Sequence, residues 1–459
     1  MGHITPKSYY DLQNRLNKAP QGAPASESLF KILEILFTEK EAKLVSTLPI
    51  NFFTTKKAAQ LWNLSIPESE KILNELSSKG LLLDIKMGKT KAYILAPSMA
   101  GFFEFSLMRT DGKFDRKILS ELFYQYINVE DDFLREVLGL DPSIVRTFVQ
   151  ENTINTKEET IILDYERATK VIDTASCITV GTCYCRHKME HLGKACNMPQ
   201  DVCLTFNNTA TSLAKHKIAK EITKKEAHEI LNKSINLGLV QIGDNVQDGV
   251  NFICNCCACC CEALLAYKKL KYSVNMKSNF ESIVNNKKCT RCGICIKKCP
   301  VNAISFKKIK NDKNTRELQI NNNKKNISLF INPNICIGCG VCVRFCKSSA
   351  LTMNRRENTQ FTPKDSFERV VITAINTGKL QNLIFDNRDL WTHKMLRQLL
   401  KTILSLKPAK RILATNQLQS KFINNMSKAY GNTFTKLFND DKLPDYSHPE
   451  LKANKQLKQ

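Results

Sequence analysis

Apolar residues recur at three- and four-residue steps from Ser28 onward. Leu29, Ile32, Leu33 and Leu36 share one face, which predicts a helix. A second short helix is expected over about 39–48, with Thr38 as its N-cap and Glu41 three residues on. The stretch Thr54 to Trp62 comes next, and after Pro67 a third helix carries Ile72, Leu73 and Leu76, ended by Lys79-Gly80. Leu81–Ile85 and Lys91–Leu95 flank a turn at Met87-Gly88 and read as a β-hairpin. Upstream, residues 1–27 read as a loose lead-in broken by Pro20 and Pro24. Downstream, Gly101–Phe105 marks a change of segment, and residues 114–140 place Ile118, Leu119, Leu122, Phe123 and Tyr126 at helical spacing. Residues 159–164 suggest a strand, Tyr165–Ala175 a short helix, and Thr223-Lys224-Lys225-Glu226 a capping box whose helix ends near Gly238.

The order of elements over residues 28–100 resembles a winged-helix domain, and that resemblance implies DNA binding. Its presumed recognition helix, however, exposes Glu68, Glu70 and Glu75 beside Lys71 and Lys79, and acidic groups there would repel phosphates. The hairpin is more basic, with Lys86, Lys89 and Lys91. We read the module as a docking or structural unit in preference to a DNA-binding one, since fold does not fix function.

Composition narrows this picture. At 459 residues the chain has room for two to four domains, and 42% hydrophobic with 24% charged residues excludes a disordered protein. No apolar run is long enough for a membrane span, and the N-terminus lacks the apolar core of a signal peptide. Nineteen cysteines without an export signal point to a reducing cytoplasm, in an anaerobe. The formal charge of +24 suggests an acidic partner, but Lys/Asn-rich tracts such as Asn321 to Asn326 look compositional, so the charge argues weakly for nucleic acid.

The cysteine spacing changes the picture most. Cys289-x2-Cys292-x2-Cys295-x3-Cys299-Pro300 returns as Cys336-x2-Cys339-x2-Cys342-x3-Cys346, an internal duplication of one metal-binding unit. The stretch resembles the bacterial-type dicluster ferredoxin domain, in which three cysteines of one run and the fourth of the other hold a [4Fe–4S] cube. The resemblance assigns Cys289, Cys292, Cys295 and Cys346 to one cube, and Cys336, Cys339, Cys342 and Cys299 to the other. Zinc ribbons would use separate Cys-x2-Cys knuckles, and neighbouring cysteines of one loop would compete for disulfides. Gly293, Gly338 and Gly340 sit where the backbone must approach a cluster. Lys347 stands where the signature has proline, which removes no ligand.

Two further cysteine stretches lie upstream. The first reads Cys177-Ile178-Thr179-Val180-Gly181-Thr182-Cys183-Tyr184-Cys185-Arg186-His187, followed by Cys196 and Cys203; the second is Cys254-Asn255-Cys256-Cys257-Ala258-Cys259-Cys260-Cys261. Cys183, Cys185, Cys196, Cys203, Cys254 and Cys257 are the expected ligands of one or two more iron–sulfur clusters. Cys177 reads as a buried thiol in an apolar strand. Arg186 reads equally as a hydrogen-bond donor to cluster sulfurs or as an ordinary salt-bridge partner, whereas His187 and His191 fit structural roles better than ligation. The helix expected over Glu262–Leu270 would bring its positive N-terminus to the site. These motifs, joined to a winged helix and a dicluster domain, resemble a family of multi-cysteine iron–sulfur proteins of anaerobic bacteria and archaea.

The expected fold class is α+β multidomain. It comprises a lead-in (1–27), a winged-helix-like domain (28–100), and a helical connector with a cysteine-rich α/β cluster region (101–275). A dicluster ferredoxin-like domain (276–356), a C-terminal helical arm (357–440) and a frayed tail (441–459) follow. The arm is read as a loop into a helix about 366–377, a short strand at Leu383-Ile384-Phe385 and a helix over Trp391–Leu406, packed against the ferredoxin-like domain. No Walker loop and no Gly-x-Gly-x-x-Gly opens a helix, which leaves hydride chemistry to a partner. The reading is an electron carrier, or electron-transfer subunit, serving a redox partner protein. Substrate reduction at the upstream cluster is one alternative. A redox-responsive winged-helix regulator, with DNA as partner, is the other.

Overall fold

The computed structural model describes residues 5–87, 90–112, 114–154, 162–308 and 327–384. The chain is not loose at its start. Helix α1 (Lys7–Leu16) buries Tyr9, Leu12 and Leu16, and the Tyr9 hydroxyl donates to the Phe37 carbonyl at 3.0 Å. Within the lead-in expected over 1–27, the described residues from 5 onward are therefore part of the N-terminal core. Pairing Tyr9 with Phe37 is a long-range contact, which local periodicity does not report.

Next come α2 (Glu27–Leu36), capped by Ser26, and α3 (Glu39–Thr47), with the Thr38/Glu41 capping box formed. The short strand β1 (Phe53–Thr54) leads into α4 (Thr55–Trp62), and α5 (Ile66–Ser78) opens on a Ser65/Glu68 capping box. Strands β2 (Leu82–Met87) and β3 (Thr90–Leu95) form the hairpin, and β1 adds to its open edge in the order β1-β3-β2. Helix α6 (Phe103–Met108) and α7 (Arg116–Phe123), continued by π-helical turns at Tyr124–Val129 and Leu134–Leu138, fill the connector. Leu119, Phe123 and Tyr126 are buried there, but Ile118 is 49% exposed, because the face that meets α9 lies one position further round.

A six-stranded, wholly antiparallel sheet forms the centre. Its strands are β4 (Val145–Thr147), β5 (Ile178–Thr182), β6 (Asp201–Phe206), β7 (Lys220–Glu221), β8 (Val240–Asp244) and β9 (Phe252–Cys256), in the order β4-β8-β9-β6-β5-β7. Helices α8 (Ala168–Thr174), α9 (Tyr184–His191), α10 (Asn207–Lys215), α11 (Lys224–Asn236) and α12 (Glu262–Lys269) connect and cover it. The Thr223/Glu226 capping box opens α11, and Gly238 beyond its end takes a φ of 80°. Of the strand expected over 159–164, residues 159–161 lie outside the described residues, Ile162 and Leu163 are not in a strand, and Asp164 opens a 3₁₀ turn. The helix expected from Tyr165 begins only at Ala168.

The duplicated cysteine unit is duplicated in fold. Each half runs strand, cysteine loop, short helix, strand: β10 (Phe280–Val284), α13 (Ile294–Lys298) and β11 (Ile304–Lys308), then β12 (Ile327–Ile331), α14 (Val341–Arg344) and β13 (Leu351–Arg355). The halves interlock, β10 pairing with β13 and β11 with β12, both antiparallel. Gly338 has a φ of 72°, and a Cβ there would lie 2.0 Å from the Phe280 carbonyl oxygen, so only glycine fits the loop.

The last described elements are α15 (Ser366–Asn376) and α16 (Leu380–Ile384). The short strand expected at 383–385 is helical as far as it is described; the helix expected over 391–406 and the tail lie outside the described residues. Among the described residues, the polar contacts of these helices run to the central sheet and the N-terminal segment. Arg369 pairs with Asp244 and donates to the Ile144 carbonyl at 2.9 Å, while Asn382 and Lys379 donate to the carbonyls of Lys18 and Ala19. Their apolar face, Val371, Ile372 and Ile375, meets Ile50.

The hairpin is clamped to the central region by one carboxylate. Asp84 on β2, 6% exposed, accepts from Ser212 at 2.7 Å and His216 at 3.0 Å and is bound by Lys215, all on or just beyond α10. Burial alone would raise its pKa, but the hydrogen bonds from His216, Lys215 and Ser212 hold it well below the usual carboxylate range. Asp84→Ala is expected to destabilise the protein by about 2 kcal/mol, read as a lower thermal midpoint and faster proteolysis near the hairpin.

Candidate metal centres

The structure gathers the eight cysteines of the duplicated unit into two sets. Cys289, Cys292 and Cys346 surround Cys295, whose thiol is pushed up to about 11, first by burial and further by those neighbouring sulfurs. Cys336 and Cys299 likewise surround Cys339 and Cys342, and burial raises Cys342 to about 12. The Cys299 sulfur accepts the Ala303 N–H at 3.2 Å. All eight are free thiols. Burial favours the protonated form of Cys295, Cys299, Cys339 and Cys342, so a metal that displaces those protons is what suits the donor set.

Upstream, the cysteines also fall into two sets, and not the ones spacing suggested. Cys254 and Cys256, two apart on β9, share one face with Cys203 of β6, whose sulfur is 3.8 Å from that of Cys254. On the same side, Cys183 caps the N-terminus of α9, Cys185 lies in its first turn, and Cys261 caps the N-terminus of α12. Side-chain contacts run without a break from Cys203 through Cys254, Cys256, Cys261 and Cys185 to Cys183. Cys257 turns the other way. With Cys196, Cys259 and Cys260 it forms a compact group whose sulfurs all lie within 4.8 Å of one another.

The expected ligands Cys183, Cys185, Cys203 and Cys254 thus lie in one group and Cys196 and Cys257 in the other, where Cys259 and Cys260 join them. The cause is physical: β9 extends to Cys256, so residues two apart share a face, whereas a Cys-x2-Cys reading treats Cys254 and Cys257 as partners. Strand alternation in Phe252–Cys256, and the position of Cys261 directly before a helix, carried the signal. Cys177 also differs from expectation, being half-buried and lining a cleft of about 840 Å³. It stands at the opposite end of β5 from Cys183, ~20 Å away along an extended strand, out of reach of either group.

Positive charge converges on the sulfurs. Cys260 as hydrogen-bond donor, with Arg186 beside it, brings Cys257 down to about 5. Cys261 is held low by Cys185 and Cys256, then by the backbone N–H groups of Leu264 and Ala263. Arg186 is fully buried, donates to the Pro199 and Asn255 carbonyls, and lies between the groups, near Cys183, Cys257 and Cys256. The Arg186 Nε has no hydrogen-bond partner among the described residues. His187 is occupied otherwise: its Nδ1 is 2.7 Å from the Leu107 carbonyl, and its Nε2 is 3.2 Å from that of His191.

A buried ion pair fixes the two helix starts against each other. Lys188 of α9 pairs with Glu262, the first residue of α12, at side-chain exposures of 0% and 1%. Asn128 completes the set, donating to Glu262 at 2.6 Å and accepting from Lys188. Glu104 lies nearby and accepts from the backbone N–H groups of Ala100 and Gly101, yet burial pushes its carboxyl up to about 7.

Residues 288–349 match the family described as a 4Fe-4S double cluster binding domain, the segment that holds all eight cysteines of the duplication. No curated protein and no solved structure matches the chain. The match implies two [4Fe-4S] clusters in this segment, and Cys196, Cys257, Cys259 and Cys260 form a further candidate metal site.

Two outcomes follow from these charges. Lys188→Met leaves Glu262 buried and unpaired, at a cost of about 3–5 kcal/mol. Upstream metal content should fall while the electron paramagnetic resonance (EPR) signals of residues 288–349 persist. For Glu104, the folded-state pKa lies above the unfolded one, so its contribution favours the folded state at low pH and is lost as pH rises from about 5 through about 7. Thermal unfolding should therefore show Glu104→Gln gaining on the parent protein over that window, and parallel curves would refute the assignment.

Proposed function

We propose that this chain is an iron–sulfur electron-transfer protein, or the electron-transfer subunit of a redox enzyme. Cys289, Cys292, Cys295 and Cys346 would hold one [4Fe-4S] cube, and Cys336, Cys339, Cys342 and Cys299 the other. Cys196, Cys257, Cys259 and Cys260 would hold a further centre. When bound, such clusters supply reversible one-electron redox chemistry.

One observation carries this reading: helix α12 joins the upstream cysteines to the ferredoxin-like ones. Cys261 stands at its N-cap, and the hydroxyl of Tyr267, six residues on, donates to the Ile335 carbonyl at 3.1 Å, next to Cys336. That is ~9 Å of helix rise. Cys256, Cys261, Cys295, Cys336, Cys339 and Cys342 belong to one continuous core, which keeps water from the path between them. At its outer end, exposed Cys292 is flanked by the exposed Lys287, Lys288, Lys297 and Lys298, a surface suited to an acidic redox partner.

Residues 28–100 are read as a winged helix used for docking. Asp84 ties its hairpin down onto α10, and Glu68, Glu70 and Glu75 are exposed along α5. Both features weigh against DNA as its partner.

Iron and acid-labile sulfide per chain, measured on anaerobically purified protein with EPR of the reduced sample, test the proposal. At least about twelve irons are expected, four per cube. A count of about eight would confine electron transfer to residues 288–349, and one zinc per chain with about eight irons would make the compact group structural.

A further inference from the structure

The six remaining upstream cysteines are absorbed neither by the matched segment nor by the compact group. Cys203, Cys254 and Cys256 come from the adjacent strands β6 and β9; Cys183, Cys185 and Cys261 come from the starts of α9 and α12. Cys256 and Cys261 are 6% and 5% exposed, and the other four are half-buried. Nothing in ordinary packing asks for six thiols in mutual contact. None is in a disulfide.

Their spread distinguishes them from the compact group. Among the described residues, only Cys196, Cys257, Cys259 and Cys260 bring three or more ligand atoms within 4.8 Å of one another. The six are connected as a chain instead, whose ends return toward each other, since Cys183 is felt by both Cys203 and Cys254. That shape surrounds a volume larger than one ion. Ligand number points the same way: one cube takes four thiolates, so six leave two over, and two independent cubes would need eight. Three thiolates from the strands face three from the helix starts. This division suits two iron–sulfur units that share a bridging sulfide, each completed by three cysteines.

We propose that Cys183, Cys185, Cys203, Cys254, Cys256 and Cys261 hold one polynuclear iron–sulfur centre, built of a strand half and a helix half and separate from the compact four-cysteine group. Charge supports it independently of ligand count. Two eight-residue helices, α9 and α12, present their N-termini to the sulfurs, and the Arg186 guanidinium lies beside Cys183 and Cys256. The Lys188–Glu262 pair holds the two helix starts in register. The centre would lie at the inner end of α12, and so begin the path toward Cys336. The inference goes beyond the electron-transfer reading, which stands or falls on the clusters of residues 288–349.

The test uses the full chain, reconstituted anaerobically with ferrous iron and sulfide, and reads iron content, EPR and Mössbauer spectra. One double variant removes a ligand pair from each half: Cys203→Ser with Cys256→Ser, and Cys185→Ser with Cys261→Ser. Both are expected to abolish the same signal and to lose more than about four irons per chain. Cys257→Ser with Cys260→Ser should leave that signal intact. The inference is overturned if either half-pair leaves signal and iron unchanged, which would mean a single cube on four of the six. It is equally overturned if the Cys257/Cys260 variant removes the same signal. Signals from residues 288–349 report folding in every variant, and their absence from the parent protein would instead refute the electron-transfer reading. Should a double variant fail to fold, single substitutions at the half-buried Cys183 and Cys203 read the same signal.

Discussion

A thiolate taken out of water persists only where positive charge is brought to it, and this structure is arranged around that requirement. Burial raises Cys295, Cys339 and Cys342 well away from thiolate character. Upstream, the same pressure is met partly by the protein itself. The backbone N–H groups at the start of α12 and the guanidinium of Arg186 favour sulfur anions before any metal arrives. The Lys188–Glu262 pair belongs to the same scheme, because it neutralises charge internally and fixes the helix ends that carry the donors.

The cysteine regions are welded into one body by polar links that cross between them. The Gln150 N–H donates to the Cys339 carbonyl at 3.1 Å, and its side chain donates to the Leu239 carbonyl at 3.1 Å. Gln241 then donates to Asn255 at 2.9 Å, and Arg186 reaches the Asn255 carbonyl. A ferredoxin-like cluster loop is thereby tied to the strand that supplies Cys254 and Cys256. The N-terminal helices and hairpin are clamped to it through Asp84, and the helices after residue 365 bridge the central sheet and the N-terminal segment.

Local chemistry was legible in the sequence and distant pairing was not. The duplicated cysteine run, the capping boxes at Thr38 and Thr223, the hairpin, and the glycines of the cluster loops are all set by residues within a few positions of each other. The grouping of Cys203 with Cys254, or of Cys183 with Cys261, depends on which strands pair and which helix starts meet. Tyr9 meeting Phe37 and α16 meeting residues 18 and 19 are of the same kind. Spacing alone leaves several pairings open within Cys254–Cys261, and strand alternation separates Cys254 from Cys257 because β8 and β6 hold β9 on both sides.

Cys256 and Cys257 are neighbours joined by a single peptide bond, yet their sulfurs belong to different groups. Strand register therefore acts as an address: the pleat decides which assembly receives each sulfur. A one-residue insertion in β9 ahead of Cys254 would turn Cys254 and Cys256 away from Cys203, so this strand cannot drift in length as a surface loop can. The two groups must change together or not at all.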